Sequence, residues 1–155
     1  MEIRSIVATD REPLAELLRR IDSFSPSEVS CALELIDLAL SPNKADYQVL
    51  VAAKSGKVVG YLCYGPTPMT EGTFDLYWIA SAPEVRGQGA GGALISAMEG
   101  NLRRRNARLI RVETSAMEAY GPTRGFYEAM KYQEEARIRD FYKVGEDLII
   151  LSKRL

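Results

Sequence analysis

At 155 residues the chain is long enough for one domain whose hydrophobic core needs no disulfide or metal to hold it. Lys and Arg number 20 against 21 Asp and Glu, a net charge of −1 that gives no overall field for nucleic acid, and no apolar run approaches membrane-spanning length. There is no histidine, which excludes Ser-His-Asp and Cys-His nucleophile systems, H-E-x-x-H zinc sites and imidazole acid–base catalysis, and leaves carboxylates, tyrosines, lysines and backbone groups.

The opening MEIRSIVATD has the layout of neither a signal nor a transit peptide, so a cytoplasmic location is the default expectation. Residues 2–8 read as a strand. Thr9 and Glu12 have capping-box spacing ahead of a helix carrying Leu14, Leu17, Leu18 and Ile21. Ser25 and Glu28 repeat the device with Pro26 at the first helical position. The second helix should bury Val29, Leu33, Ile36 and Leu40 and stop at Pro42 and Asn43. Residues 47–54 and 58–65 read as a hairpin around SGK, and 73–81 as a third strand after a Pro- and Thr-rich loop. A helix with Leu94, Ile95, Met98 and Leu102 on one face follows, closed by Arg103, Arg104 and Arg105 as cations at its negative dipole end. The strand 108–114, a short helix over 123–131 and a final hairpin of 134–142 with 146–154 complete the order β-α-α-β-β-β-α-β-α-β-β. That is one α/β (α+β) domain over 1–155, with a mixed, mostly antiparallel sheet of about seven strands. Cys31 and Cys63 lack motif spacing and read as small core residues of a reducing compartment.

Between the third strand and the third helix stands APEVRGQGAGGAL, residues 82–94. A strand, dense glycine and a helix start suit an anion: glycine permits tight turns and close approach, and the first helical N–H groups favour negative charge. Gly87, Gly89 and Gly92 match G-x-G-x-x-G by letter, with Glu113 at about the spacing of a ribose-binding acid. A dinucleotide loop, however, leaves its strand directly into the first glycine, whereas here Ala82 to Arg86 intervene and hairpins replace serial βαβ units. No Gly-Lys-Ser/Thr follows for a Walker A loop.

Read instead as Arg86-Gly-Gln-Gly89-Ala-Gly91, the run has the form R-x-x-G-x-G and resembles the pyrophosphate loop of the GCN5-related N-acetyltransferase (GNAT) superfamily. The order of elements is similar to that fold over nearly the whole chain. The resemblance implies acetyl-CoA as acyl donor, held through Arg86, Gly87, Gln88, Gly89, Ala90, Gly91 and Gly92, with no metal. It also implies main-chain contacts from Ile79 and Ser81 to the pantetheine arm, the Ile79 N–H serving the thioester oxygen. RGFYEAMKY (124–132) resembles the family's later motif and places Tyr127 on the tyrosine that protonates the departing thiolate. A phenol of pKa about 10 suits a thiolate of pKa about 8.5. Lys131-Tyr132 replaces the usual Gly-Phe. Tyr120, in YGPT, stands where many members carry Asn, as a replacement pantetheine contact or a lid aromatic.

A carboxylate must then relieve the acceptor ammonium of its proton. Glu113 matches the glutamate of the bacterial ribosomal-protein N-terminal acetyltransferases, whose tail RIRDFY…EDLIIL is also similar, and Asp75 falls near the glutamate of the histone-acetylating branch. Both remain candidates. Period-two alternation would put Asp75, Tyr77 and Ile79 on one face. Tyr64, Tyr77 and Tyr142 are candidates for the acceptor wall, the loop 66–72 for its rim, and Glu28, Glu71 and Asp140 for attracting a cation. The expected acceptor is a peptide N-terminus or a small-molecule amine. Neither nucleic acid nor membrane is expected as a partner, and a homodimer is open. The alternatives are a non-catalytic acyl-CoA-binding module and a nucleotide- or NAD-binding protein.

Overall fold

The computed structural model describes residues 1–42 and 46–155. Seven strands form one sheet in the order β1-β2-β3-β4-β5-β7-β6: β1 (Glu2–Ser5), β2 (Gln48–Lys54), β3 (Lys57–Pro66), β4 (Thr73–Ser81), β5 (Leu109–Ser115), β6 (Gln133–Lys143) and β7 (Glu146–Arg154). The helices are α1 (Arg11–Arg19), α2 (Pro26–Leu40), α3 (Ala90–Arg104) and α4 (Gly121–Ala129). Every pairing is antiparallel except β4 with β5.

Central strands read as unbroken apolar runs because both faces are covered: Val49 through Ala53 and Val59 through Tyr64 are buried almost without interruption. The edge strand β6 is exposed along its whole length and carries Glu134, Glu135, Arg137 and Arg139, charges that discourage edge-to-edge pairing. Ser55 and Gly56 turn β2 into β3 with φ of 51° and 76°, the left-handed pair that a two-residue hairpin requires.

One layer of helices, α1 and α2, packs over one face; Phe24 between them meets Trp78 of β4 edge-on at 5.4 Å. The other face carries α3, whose Leu94, Ile95, Met98 and Leu102 are fully buried and whose Asn101 donates to the Tyr64 hydroxyl at 3.4 Å. Arg103 and Arg104 do close α3, with Arg105 at its C-cap.

Cys63 is buried as expected, but Cys31 is exposed on α2 rather than in the core. Three further local readings need correction. The Thr9–Glu12 capping box does not form: a short 3-10 turn (Ala8–Asp10) precedes α1, and the Asp10 carboxylate takes the local role. It accepts from Val7 N–H at 2.8 Å and from the two terminal guanidinium nitrogens of Arg4, Nη1 and Nη2, at 2.7 and 2.9 Å. A charged acceptor gripped by an arginine outcompetes a hydroxyl. The box at Ser25 and Glu28 is present, with reciprocal bonds both 3.2 Å long. Second, α2 buries Ala32, Ile36 and Ala39, while Val29, Leu33 and Leu40 are only partly covered. Alanines let the helix lie close to the core, so its larger side chains flank the contact. Third, β1 ends at Ser5 rather than residue 8. Asn43 lies outside the described residues.

Candidate active site

Strands β4 and β5 pair only from Thr73↔Leu109 to Leu76↔Val112. Beyond that point β4 stays bonded to β3 as far as Ser81, and β5 stays bonded to β7 through Glu113↔Ile150 and Ser115↔Leu148. Two parallel neighbours, each held on its far edge, therefore part into a wedge. The cause on β4 is a bulge: Tyr64 faces Leu76 and Cys63 faces Trp78, leaving Tyr77 as an extra residue. Bulges bend the strand and increase its twist.

That extra residue also inverts the alternation. Asp75 shares the face of Trp78 and Ala80, whereas Ile79 shares the opposite face with Leu76, so Asp75, Tyr77 and Ile79 do not line one face as simple period two implies. At the end of β4, Ala82 N–H donates to the Val59 carbonyl at 2.8 Å. Antiparallel alternation then turns the N–H and C=O groups of Ser81 and Ile79 away from β3, into the wedge.

The glycine run stands at the mouth of this wedge. Gly87 and Gly89 have φ of 76° and 88°, where a side chain would be strained although space is open. Gly91 serves differently: a Cβ there would come within 3.1 Å of the Phe126 ring on α4. Gly89 is the N-cap of α3 and offers no side-chain cap, so the N–H groups of Ala90, Gly91 and Gly92 open the helix uncapped, beside exposed Arg86. Gln88 accepts from Lys54 at 2.8 Å and donates to the Glu84 carbonyl at 3.0 Å, which fixes the turn rather than leaving the side chain free.

Tyr127 lies on α4, 3% exposed, and among the described residues its hydroxyl meets no hydrogen-bond partner. Burial pushes its pKa well up, so the phenol keeps its proton at neutral pH. On the opposite face stand the carboxylates. Asp75 is buried and occupied: it accepts from Arg111 Nε at 2.6 Å and from the Thr67 hydroxyl at 2.8 Å. Glu113 is exposed, on the first β5 residue past the pairing, with no salt-bridge partner among the described residues. Its charge helps raise the pKa of Tyr142, after burial and together with Glu146 and Tyr120. Tyr120 is likewise raised, by burial first and then by Glu28 and Glu146.

Other expected wall residues separate. Tyr77, 38% exposed and set edge-on to Tyr47 at 5.3 Å, borders the carboxylate face; its pKa is pushed up to about 12, chiefly by burial. Tyr64 points to α3 and is buried. The loop 66–72 closes the paired end of β4 and β5, where Arg108 donates to the Gly72 and Glu71 carbonyls at 2.8 and 2.7 Å, so the loop and Glu71 stand away from the wedge. Asp140 accepts Gly145 N–H at 2.7 Å within its own hairpin.

Two features escaped the sequence reading. Arg124, one helical turn before Tyr127, donates to the Ser115 and Met117 carbonyls at 2.7 and 2.8 Å and ties α4 to the end of β5. Glu99 is 4% exposed inside the apolar face of α3, bonded to Tyr132 and Lys153. An acid between Ile95, Met98 and Leu102 was a visible signal of a buried partner.

A seven-stranded sheet parted between two parallel strands, with an uncapped glycine-rich helix start at the gap, defines the acyl-CoA N-acyltransferase class of fold. The chain belongs to the acetyltransferase (GNAT) domain family, whose family model matches residues 45–134. It is 32% identical over 107 residues to an uncharacterized N-acetyltransferase of Methanocaldococcus jannaschii, covering 67% of this chain and 64% of that protein, so it spans just under two thirds of the length of this curated relative. A crystal structure described as a GNAT-family acetyltransferase from Desulfovibrio desulfuricans superposes with a TM-score of 0.94 at 37% identity, covering 99% of this chain and 98% of that one. The ribosomal-protein-S18-alanine N-acetyltransferase of Escherichia coli shares the fold, with a TM-score of 0.78 at 22% identity over 99% and 92% of the two chains. Among the described residues, no helix is long and apolar enough to cross a membrane.

Proposed function

We propose that the chain is an acetyl-CoA-dependent N-acetyltransferase that passes the acetyl group directly to a primary amine. The observation that carries this reading is the wedge itself. Unpaired main-chain groups of Ile79 and Ser81 line one wall, the uncapped start of α3 lies at its mouth, and a protonated, buried Tyr127 lies on the same face. The glycine turn, with the N–H groups of 90–92 and the Arg86 charge, suits a pyrophosphate. Ile79 and Ser81 suit the amides of the pantetheine arm, and Ile79 N–H the developing charge on the thioester oxygen.

Glu113, free and across the gap from α4, takes the proton of the acceptor ammonium, directly or through water. The amine nitrogen then forms its bond to the acetyl carbon as the carbon–sulfur bond breaks. The electron pair leaves on sulfur and the Tyr127 hydroxyl supplies its proton, while the surplus proton on the acylated nitrogen passes through water to restore the Tyr127 phenol. Asp75 instead holds Arg111 and the wedge's closed end. Tyr77, Tyr120 and Tyr142 with Glu28 and Glu146 form the acceptor wall, which fits a cationic amine. A peptide α-amine is the preferred acceptor, supported by the tail of β6 and β7 and the shared fold of the S18-alanine enzyme; small amines are the second class. A cytoplasmic setting fits the free thiols Cys31 and Cys63.

The test is acetyl-CoA with a panel of N-terminal peptides and small amines, following release of free thiol. Turnover on at least one acceptor is expected. Thermal stabilisation by acetyl-CoA without turnover on any acceptor would replace the transferase with a binding module.

A further inference from the structure

The replacement of Gly-Phe by Lys131-Tyr132 places a hydroxyl in the layer between α3 and α4. Tyr132, 3% exposed, donates to Glu99 Oε2 at 3.0 Å; Lys153 Nζ donates to Glu99 Oε1 at 2.8 Å and to the Met130 carbonyl at 2.9 Å. Three elements thus meet in one buried knot: α3 through Glu99, the C-terminal end of α4 through Met130 and Tyr132, and β7 through Lys153. Lys153 also stands over the Tyr132 ring, 5.6 Å from its centroid. Arg103 adds a longer contact to Glu99 at 3.7 Å from the helix surface.

A knot of this kind is a costly way to glue two helices. Burying the Glu99 carboxylate and partly burying the Lys153 ammonium forfeits hydration, and an apolar trio of similar volume would adhere at least as well. Hydrogen bonds supply what apolar contact lacks, a fixed distance and direction. What they fix is the spacing of α3 and α4, which is set at the other end by Gly91 against Phe126, where a Cβ would come within 3.1 Å. Tyr127 lies between these two fixed points. Its ring rests on Tyr132 with centroids 5.6 Å apart, and its carbonyl accepts Tyr132 N–H at 2.9 Å. The hydroxyl of Tyr127 has no hydrogen bond of its own among the described residues, so ring packing alone sets where it points.

We infer that the buried Tyr132–Glu99–Lys153 knot is a positioning device that fixes Tyr127 relative to the pyrophosphate turn, making Tyr132 and Glu99 positioning residues for protonation of the leaving thiolate. This rests on the reading of Tyr127 as the proton donor. The energetic lever is geometric, since a misplacement of about 1 Å costs on the order of a hundredfold in rate.

The experiment is a double-mutant cycle of Tyr132→Phe with Tyr127→Phe, measuring kcat, the acetyl-CoA KM and acetyl-CoA affinity. Tyr132→Phe keeps the ring and loses only the hydroxyl. It should lower kcat about five- to tenfold with KM within about twofold, and Tyr127→Phe/Tyr132→Phe should be no slower than Tyr127→Phe alone. An equal loss in both backgrounds, or an unchanged kcat, would overturn the inference while leaving the proton-donor reading in place. A Tyr127→Phe enzyme as fast as wild type would overturn the proton-donor reading itself. If Tyr132→Phe does not yield folded protein, Glu99→Gln enters the same cycle with the same expected coupling to Tyr127.

Discussion

The two faces of the parted sheet are built in different ways. On the α3 and α4 face, positions are held by backbone and by buried bonds: two glycines with left-handed φ, one glycine pressed on Phe126, the Arg124 clamp, the Glu99 knot and a Tyr127 that is 3% exposed. On the other face the side chains nearest the gap stand in water. Glu113 has no salt bridge among the described residues, and Phe141 and Tyr142, 50% and 47% exposed, lie on the edge strand β6, which is exposed throughout. A donor common to a whole family can be bound by main chain and helix ends, which substitutions barely touch. In the function proposed above, acceptor choice is left to exposed side chains, which can change without disturbing the core.

Four substitutions test this contrast. The largest effect should come from Gly89→Val. It forces a β-branched side chain to φ of 88° at the N-cap of α3, and the acetyl-CoA dissociation constant should rise on the order of a hundredfold by titration. Unchanged affinity would break the assignment of the donor face. Glu113→Gln should lower kcat/KM about tenfold at neutral pH and shift the rate profile to higher pH, where the amine loses its proton unaided. Asp75→Asn should instead cost about 1–2 kcal/mol of unfolding free energy, by weakening its bonds to Arg111 and Thr67, with the pH profile in place. Exchange of those two outcomes would transfer the base role to Asp75. Tyr142→Ala should raise the acceptor KM about threefold and leave acetyl-CoA affinity within error, since it removes exposed wall rather than core.

The smallest change is expected at Lys131. Helix α4 ends in a Schellman arrangement, with Lys131 N–H bonded to the Glu128 carbonyl and Tyr132 N–H to that of Tyr127, both at 2.9 Å. Lys131 therefore carries φ of 72°, the position glycine usually fills. Lys131→Gly should raise stability by about 0.5–1 kcal/mol in chemical denaturation, and a loss of stability would show that the lysine contributes a compensating contact.

The same contrast explains what the amino-acid order revealed. Features that depend on local chemistry were legible: the glycine run, the Ser25–Glu28 cap, the apolar face of α3 and the order of strands. Features that depend on which distant groups meet were not. The bulge at Tyr77 is invisible in TFDLYWIAS because it exists only relative to the register of β3, yet it turns Ile79 to the other face. Asp75 resembles a free acid until Arg111 arrives from a strand 36 residues later in the chain. Glu99 needed Lys153, 54 residues away, before its burial made sense.

The central claim is that the wedge and glycine turn hold an acyl-CoA rather than another phosphate ligand. Calorimetric titration of the wild-type protein with acetyl-CoA, and separately with NAD, addresses it most directly. Saturable binding of acetyl-CoA, lost in Gly89→Val, with no heat from NAD is the predicted result; binding of NAD in preference to acetyl-CoA would contradict it.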